Sequence, residues 1–148
     1  MTLAMQLRGR WLDLGRPQLV GIVNTTPDSF SDGGQLPSVA AAVDRALALV
    51  AAGADLLDIG GESTRPGAAA VDVVEEIRRV IPVVRAVCQQ TAVPVSIDTR
   101  RSEVARMALQ AGAALVNDTS GAVADDMAEV VNEFDAGWVL MHVPHAVG

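Results

Sequence analysis

The stretch Asp58–Gly67, DIGGESTRPG, carries more chemistry than a turn requires. An apolar run stops at two glycines, which permit positive φ or close approach of backbone to a ligand. Ser63 and Thr64 can donate hydrogen bonds to an anion. Arg65 offers a planar fork that fits a phosphate group bidentately, and Pro66 limits the loop's freedom. The set suits a grip on a diphosphate with a second substrate beside it. A plain strand-to-helix loop, with Ser or Thr capping the helix, accounts for one hydroxyl and leaves Arg-Pro-Gly without a purpose.

Two more groups of residues have types and spacing suited to a site. VNTTPDSFSDGG, residues 23–34, holds an amide, hydroxyls, two acids and two glycines. Asn24 can lend a carbonyl oxygen to Mg²⁺, a hard ion that prefers oxygen and commonly shares substrate phosphates. Phe30, one of the chain's few aromatics, suits stacking on a flat ligand and equally suits filling a lid. The same composition also suits a turn-rich loop that ends in a helix cap. Asp98 in SIDT and Asn117 in VNDTSG each fall where a strand should end. A carboxylate beside an amide can read the fused donor–acceptor edge of a pterin or purine. Asp98 and Asp118 each suit capping the following helix as well. His142 closes the run WVLMHV and, as a lone histidine, reads as a packing or hydrogen-bonding residue. Cys88, Trp11 and Trp138 read as packing.

These residues need elements to hold them. Five continuous apolar runs read as strands buried on both faces: 19–24, 55–61, 94–99, 114–121 and 138–143. Four segments of helical period lie between them. The first has Val39, Val43, Ala46, Leu47 and Val50 on one stripe, and the second Val74, Ile77, Ile81, Val84 and Val87. Pro82 predicts a kink in the second helix, and Ser102 and Gly112 predict the cap and stop of the third. Strand-helix alternation with short loops predicts an α/β fold with a parallel sheet. No G-x-G-x-x-G follows the first run, and polar residues stand at the ends of successive runs. Both features favour a TIM (β/α)₈ barrel over a dinucleotide-binding sheet. A barrel of this class takes about 250 residues. The five strands of this 148-residue chain make slightly more than half of one. MQLRGRWLDLG, with Gly9 at its middle, reads as a hairpin closing the barrel floor.

Composition narrows the classes. The chain is half apolar with net charge −7, has no lysine and no basic cluster, and so does not present a nucleic-acid surface. One cysteine gives no disulfide framework and fits a reducing cytoplasm. The first residues lack a signal peptide's apolar core, and no apolar stretch is long enough to span a bilayer.

GIVNTTPDSFSDGG, DIGGESTRPGA, SIDT followed by EVA and VND, and LMH together closely resemble the bacterial dihydropteroate synthase family across essentially the whole chain. The resemblance implies a (β/α)₈ barrel. It implies a transferase that condenses 4-aminobenzoate with 7,8-dihydropterin-6-ylmethyl diphosphate in folate biosynthesis, in competition with sulfonamides. By motif it implies Asn24 at Mg²⁺ and the diphosphate. Thr64 and Arg65 would lie at the diphosphate and the 4-aminobenzoate site, with Phe30 and Pro66 shaping the second pocket. Asp98 and Asn117 would take the pterin edge, and Met141 would line its cavity. Thr64, Arg65 and Asp98 carry the expected catalytic roles, and a homodimer is the expected assembly. The family's later segments have no counterpart in residues 1–148. These include a strand-end Asp with a glycine-rich segment, a Ser-Arg-Lys segment, and a late Arg and His. The 148 residues are therefore expected to be the N-terminal part of a barrel, with little or no synthase activity by themselves. A non-catalytic half barrel used for binding or association is the alternative. A methyltransferase domain sharing the pterin grip is another, though it lacks GGESTRPG.

Overall fold

The computed structural model describes residues 3–27, 37–63 and 67–142. It opens on an antiparallel hairpin of β1 (Ala4–Leu7) and β2 (Arg10–Asp13). There follow β3 (Val20–Asn24), α1 (Val39–Ala51), β4 (Leu56–Gly60), α2 (Val73–Cys88), β5 (Val95–Asp98), α3 (Ser102–Ala111), β6 (Leu115–Asp118), α4 (Met127–Glu133) and β7 (Gly137–Leu140). Strands β3 to β7 pair in parallel and in chain order. A doubly wound sheet reverses its order at a switch point. Sequential order without reversal is the progression of a (β/α)₈ barrel, and this sheet is an arc of one.

Register sorts the side chains onto two faces, because residues paired in a parallel ladder share a face and alternate along each strand. Val23, Leu57, Ile59, Ile97 and Val116 point outward. They pack with Ala46 of α1, Val80 and Val84 of α2, Ala105 and Leu109 of α3 and Val130 of α4 in one buried cluster. The other face is the barrel's inner side. Ile22, Asp58, Ser96, Leu115 and Gly137 lie across it at one level, and Asn24, Gly60, Asp98, Asn117 and Val139 at the next. On β3 the outward Gly21 and Val23 are buried while the inward Ile22 is 59% exposed. Barrel interiors are filled by layers of such side chains; here Asp58, Ser96 and Leu115 in the middle of the arc are buried, and exposure is confined to Ile22 and Asn24 of β3 and Val139 of β7.

The helices start where their caps dictate. Ser38 accepts from the Ala41 N–H and Asp72 from the Glu75 N–H. Glu75 and Glu76 then place negative charge in the first turn of α2. That helix runs through the exposed Pro82 without a break. Ser102 is not the cap of α3 but its buried first residue. Arg101 holds the cap position and makes no side-chain capping bond, because a guanidinium has no acceptor to offer the helix N–H groups. Asp118 does not cap α4 either. Its carboxylate accepts from Ser120 and from the Ala122 N–H and builds the turn after β6. Val39 and Val74, assigned to buried stripes, are exposed in the first turns of α1 and α2. Trp11 is exposed on the hairpin, not packed.

The hairpin turns at Arg8 and Gly9, both at positive φ, as a tight two-residue turn requires. Leu7 packs with Leu56, Ala114 and Leu115 beneath the sheet's N-terminal edge. The Arg8 guanidinium donates to the Leu109 and Ala113 carbonyls and lies over the Phe134 ring. The hairpin therefore closes the floor, as its sequence suggests. Gly137 makes room for it, since a Cβ there would stand 2.5 Å from both Leu7 Cδ2 and Leu115 Cδ1.

Candidate functional site

Each inner strand ends where its apolar run meets a polar residue, and the ladder lines these ends up. Asn24 pairs with Gly60, Gly60 with Asp98 and Asp98 with Asn117. Three of the residues singled out from sequence thus stand in one row on the inner face, at the C-terminal edge where barrels keep their sites. Thr25, just past the end of β3, ties β3 to β4 by donating its N–H and hydroxyl to the Gly60 carbonyl. A Cβ at Gly60 would make ordinary van der Waals contact with Asp98, 3.4 Å from its carboxyl oxygen. That carboxyl is half-buried and pushed up to about 7. Burial is the main cause, reinforced by the acids Asp58, Glu76, Asp118 and Glu62 around it. Asn117 donates its side-chain N–H to Asp58 Oδ2 at 2.9 Å.

Above the row, an ion-pair network fastens two loops together. Glu76, 1% exposed, accepts from the Thr99 hydroxyl at 2.6 Å and from the Arg101 guanidinium. Arg101 also donates to Glu62 Oε2 at 2.8 Å and to the Val71 carbonyl. Glu62 takes the Val71 N–H and Arg100 on its other oxygen. Burial pushes the Glu62 carboxyl up, but Val71, Arg101 and Arg100 outweigh it and hold the group below its ordinary value. Arg79 adds a bond to the Gly61 carbonyl. The β4–α2 loop is therefore clamped at both ends, at Gly61–Glu62 and at Val71, onto α2 and the β5–α3 turn. Its helix cap is Asp72, which removes the reading of Ser63 or Thr64 as a cap. A cleft of ≈ 420 Å³ opens between these loops and the β6–α4 turn, lined among others by Glu62, Ser63, Asp98, Thr99, Arg100 and Thr119.

Asp98 and Ser63 are the sequence-predicted residues that line the cleft, with Asn117 and Asn24 beside Asp98 on the inner face. Met141 follows β7, is exposed, and donates its N–H to the Asp118 carbonyl. It does not line the cleft. His142 is exposed as well. Phe30, Thr64, Arg65, Pro66 and His145 lie outside the described residues. Asp58, Glu62, Glu76 and Arg101 were missed. Two left a signal: Asp58 interrupts an apolar strand run, and Glu76 falls in the stripe of Val80, Val84 and Val87, where a surface glutamate has no place. Among the described residues no group of three or more His, Cys, Asp or Glu side chains could hold a metal, and no helix is long and apolar enough to cross a membrane.

Compared with known proteins, the chain matches the pterin binding enzyme family over residues 20–147. The chain belongs to this family. The match starts at β3 and covers the whole arc, leaving the hairpin outside it. Among pterin binding enzymes, the dihydropteroate synthase of Synechocystis sp. is 50% identical over 129 residues, which are 86% of this chain and 45% of that one. A solved Xanthomonas albilineans dihydropteroate synthase with 4-aminobenzoic acid superposes with TM-score 0.87 at 50% identity, covering 98% of this chain and 55% of that one. A second structure of that enzyme, in complex with 7,8-dihydropteroate, gives 0.82 at 48% identity over 96% and 53%. The chain spans about half the length of the relatives it matches. The fold neighbours are barrels, and the five-stranded arc is a part of one.

Proposed function

We propose that residues 1–148 form the N-terminal part of a dihydropteroate synthase barrel acting in the cytoplasm. In this reading they hold the pterin end of the reaction and one wall of the 4-aminobenzoate pocket. The observation that carries the reading is the row Asn24–Gly60–Asp98–Asn117 beneath a clamped GGES loop. The half-identical relatives named for this activity, and their complexes with 4-aminobenzoic acid and 7,8-dihydropteroate, support it.

In the reaction the C–O bond between the pterin methylene and diphosphate breaks, and its electron pair leaves with the diphosphate. The aryl amine of 4-aminobenzoate forms the new C–N bond and releases a proton. Asp98 accepts ring N–H groups and offsets the positive charge that grows on the pterin as the leaving group departs. Arg65, with Ser63 and Thr64, holds the diphosphate. Phe30 and Pro66 bound the aryl amine. Orientation carries the remaining rate, and no covalent nucleophile is required.

Asn24 offers one neutral oxygen at an exposed strand end. That fits a Mg²⁺ ion delivered with the diphosphate and not one held by protein side chains alone. Such an ion supplies charge neutralisation on the leaving group. The test is turnover by the intact protein. With 7,8-dihydropterin-6-ylmethyl diphosphate and 4-aminobenzoate it should yield dihydropteroate and diphosphate in equal amounts. Diphosphate release without an aryl-amine adduct would contradict the reading.

A further inference from the structure

Asp58 lies on the inner face, one level below the row that holds Asp98 and Asn117. It is 93% buried by a relative exposure of 7%. One carboxyl oxygen accepts the Asn117 side-chain N–H at 2.9 Å, and the other is buried without a partner among the described residues. A carboxyl group placed so costs folding free energy that an apolar side chain would not. Its position is also enclosed by the apolar run Leu56-Leu57-Ile59, where such a side chain would fit the pattern. The service it renders is to the amide. A carboxylate only accepts hydrogen bonds, so the Asn117 amide must turn its NH₂ toward Asp58 and its carbonyl away.

We propose that Asp58 is a positioning residue that fixes the Asn117 amide with its N–H inward and its carbonyl toward the ligand. The carbonyl then stands beside the Asp98 carboxyl, and the site presents adjacent acceptors. It selects a heterocycle whose edge carries adjacent N–H donors, as an aminopyrimidinone ring does. This deepens the pterin reading above and rests on it.

Asp58→Asn is nearly isosteric but can donate as well as accept, so it releases the amide from a single orientation. The test is a double-mutant cycle on the affinity of the intact protein for 6-hydroxymethyl-7,8-dihydropterin. Asp58→Asn should weaken binding roughly five- to tenfold, the scale of one hydrogen bond, and should have no further effect in an Asn117→Ala background. An equal loss in both backgrounds would overturn the proposal, as would a lowered melting temperature with unchanged affinity. If Asn117→Ala and Asp98→Asn each leave affinity unchanged, the pterin reading itself falls and takes the proposal with it. Should Asp58→Asn fail to fold, the Asn117 side-chain amide protons of the unaltered protein decide by NMR. Two distinct signals, one shifted downfield and protected from exchange, support the fixed amide. Free-amide shifts and exchange contradict it.

Discussion

Asp98→Asn is expected to cost the protein roughly 100-fold in affinity for a 7,8-dihydropterin and to stabilise the fold at alkaline pH. Both effects follow from the same burial. The carboxylate accepts N–H groups from the ligand, and charge-assisted bonds of this kind contribute about 3 kcal/mol together, roughly 100-fold. An asparagine offers one acceptor and a donor in place of two acceptors. In the free protein, burial and the neighbouring acids Asp58, Glu76, Asp118 and Glu62 push the Asp98 carboxyl up to about 7. An unfolded aspartate loses its proton near 4. Between these values the folded state holds a proton that the unfolded state has released, so stability falls as pH rises from about 4 to about 7. Ligand affinity runs the other way. It rises with pH through 7, because the carboxyl must shed its proton to accept two N–H groups. Asp98→Asn should flatten both profiles. Pterin titrations and urea midpoints from pH 5 to 8.5 check them. A variant that binds pterin as well as the parent, or an affinity that falls on raising pH from 6 to 8, would contradict the assignment.

The second large effect falls on Arg101. Its guanidinium joins Glu62, Glu76 and the Val71 carbonyl, and removing it leaves the fully buried Glu76 with the Thr99 hydroxyl alone. An uncompensated buried carboxylate costs about 3–5 kcal/mol. Arg101→Ala should therefore lower the unfolding free energy by that amount in urea titrations. Arg101→Lys should recover little of it, since an ammonium cannot fork between two carboxylates and a carbonyl. Turnover should separate the network's two roles. Replacing the pair by apolar residues, as Arg101→Met with Glu76→Leu, removes the buried charges and should restore most of the stability. It cannot restore the bonds to Glu62 and Val71, so the β4–α2 loop keeps only its Arg79 and Arg100 contacts and the rate stays low. Restored turnover in the double variant would show that the network serves stability alone.

The fold was legible where one signal dominated. Continuous apolar runs marked the five parallel strands to within a few residues, and the polar residue ending each run marked the row Asn24, Asp98 and Asn117. Pairing register, which puts those three on one face with Asp58 and Ser96, was implicit in the same runs. Caps were less legible. Ser102 has the composition of an N-cap, yet Arg101 takes that position because the ion network, a tertiary contact over 25 residues of chain, outranks local propensity. Pro82 is tolerated within α2 because it lies on the exposed face. The loop clamp was only partly legible: Glu76 stands out in the apolar stripe of α2, but its partners Glu62 and Arg101 look like surface charges until the strands bring them together.

The most direct test of the pterin site is a crystal structure of the intact protein soaked with 6-hydroxymethyl-7,8-dihydropterin. The ring is expected on the inner face, its N–H edge bonded to the Asp98 carboxylate and the Asn117 carbonyl, with the Asn117 N–H still on Asp58. A pterin bound elsewhere, or an Asn117 amide turned with its NH₂ toward the ring, would contradict it.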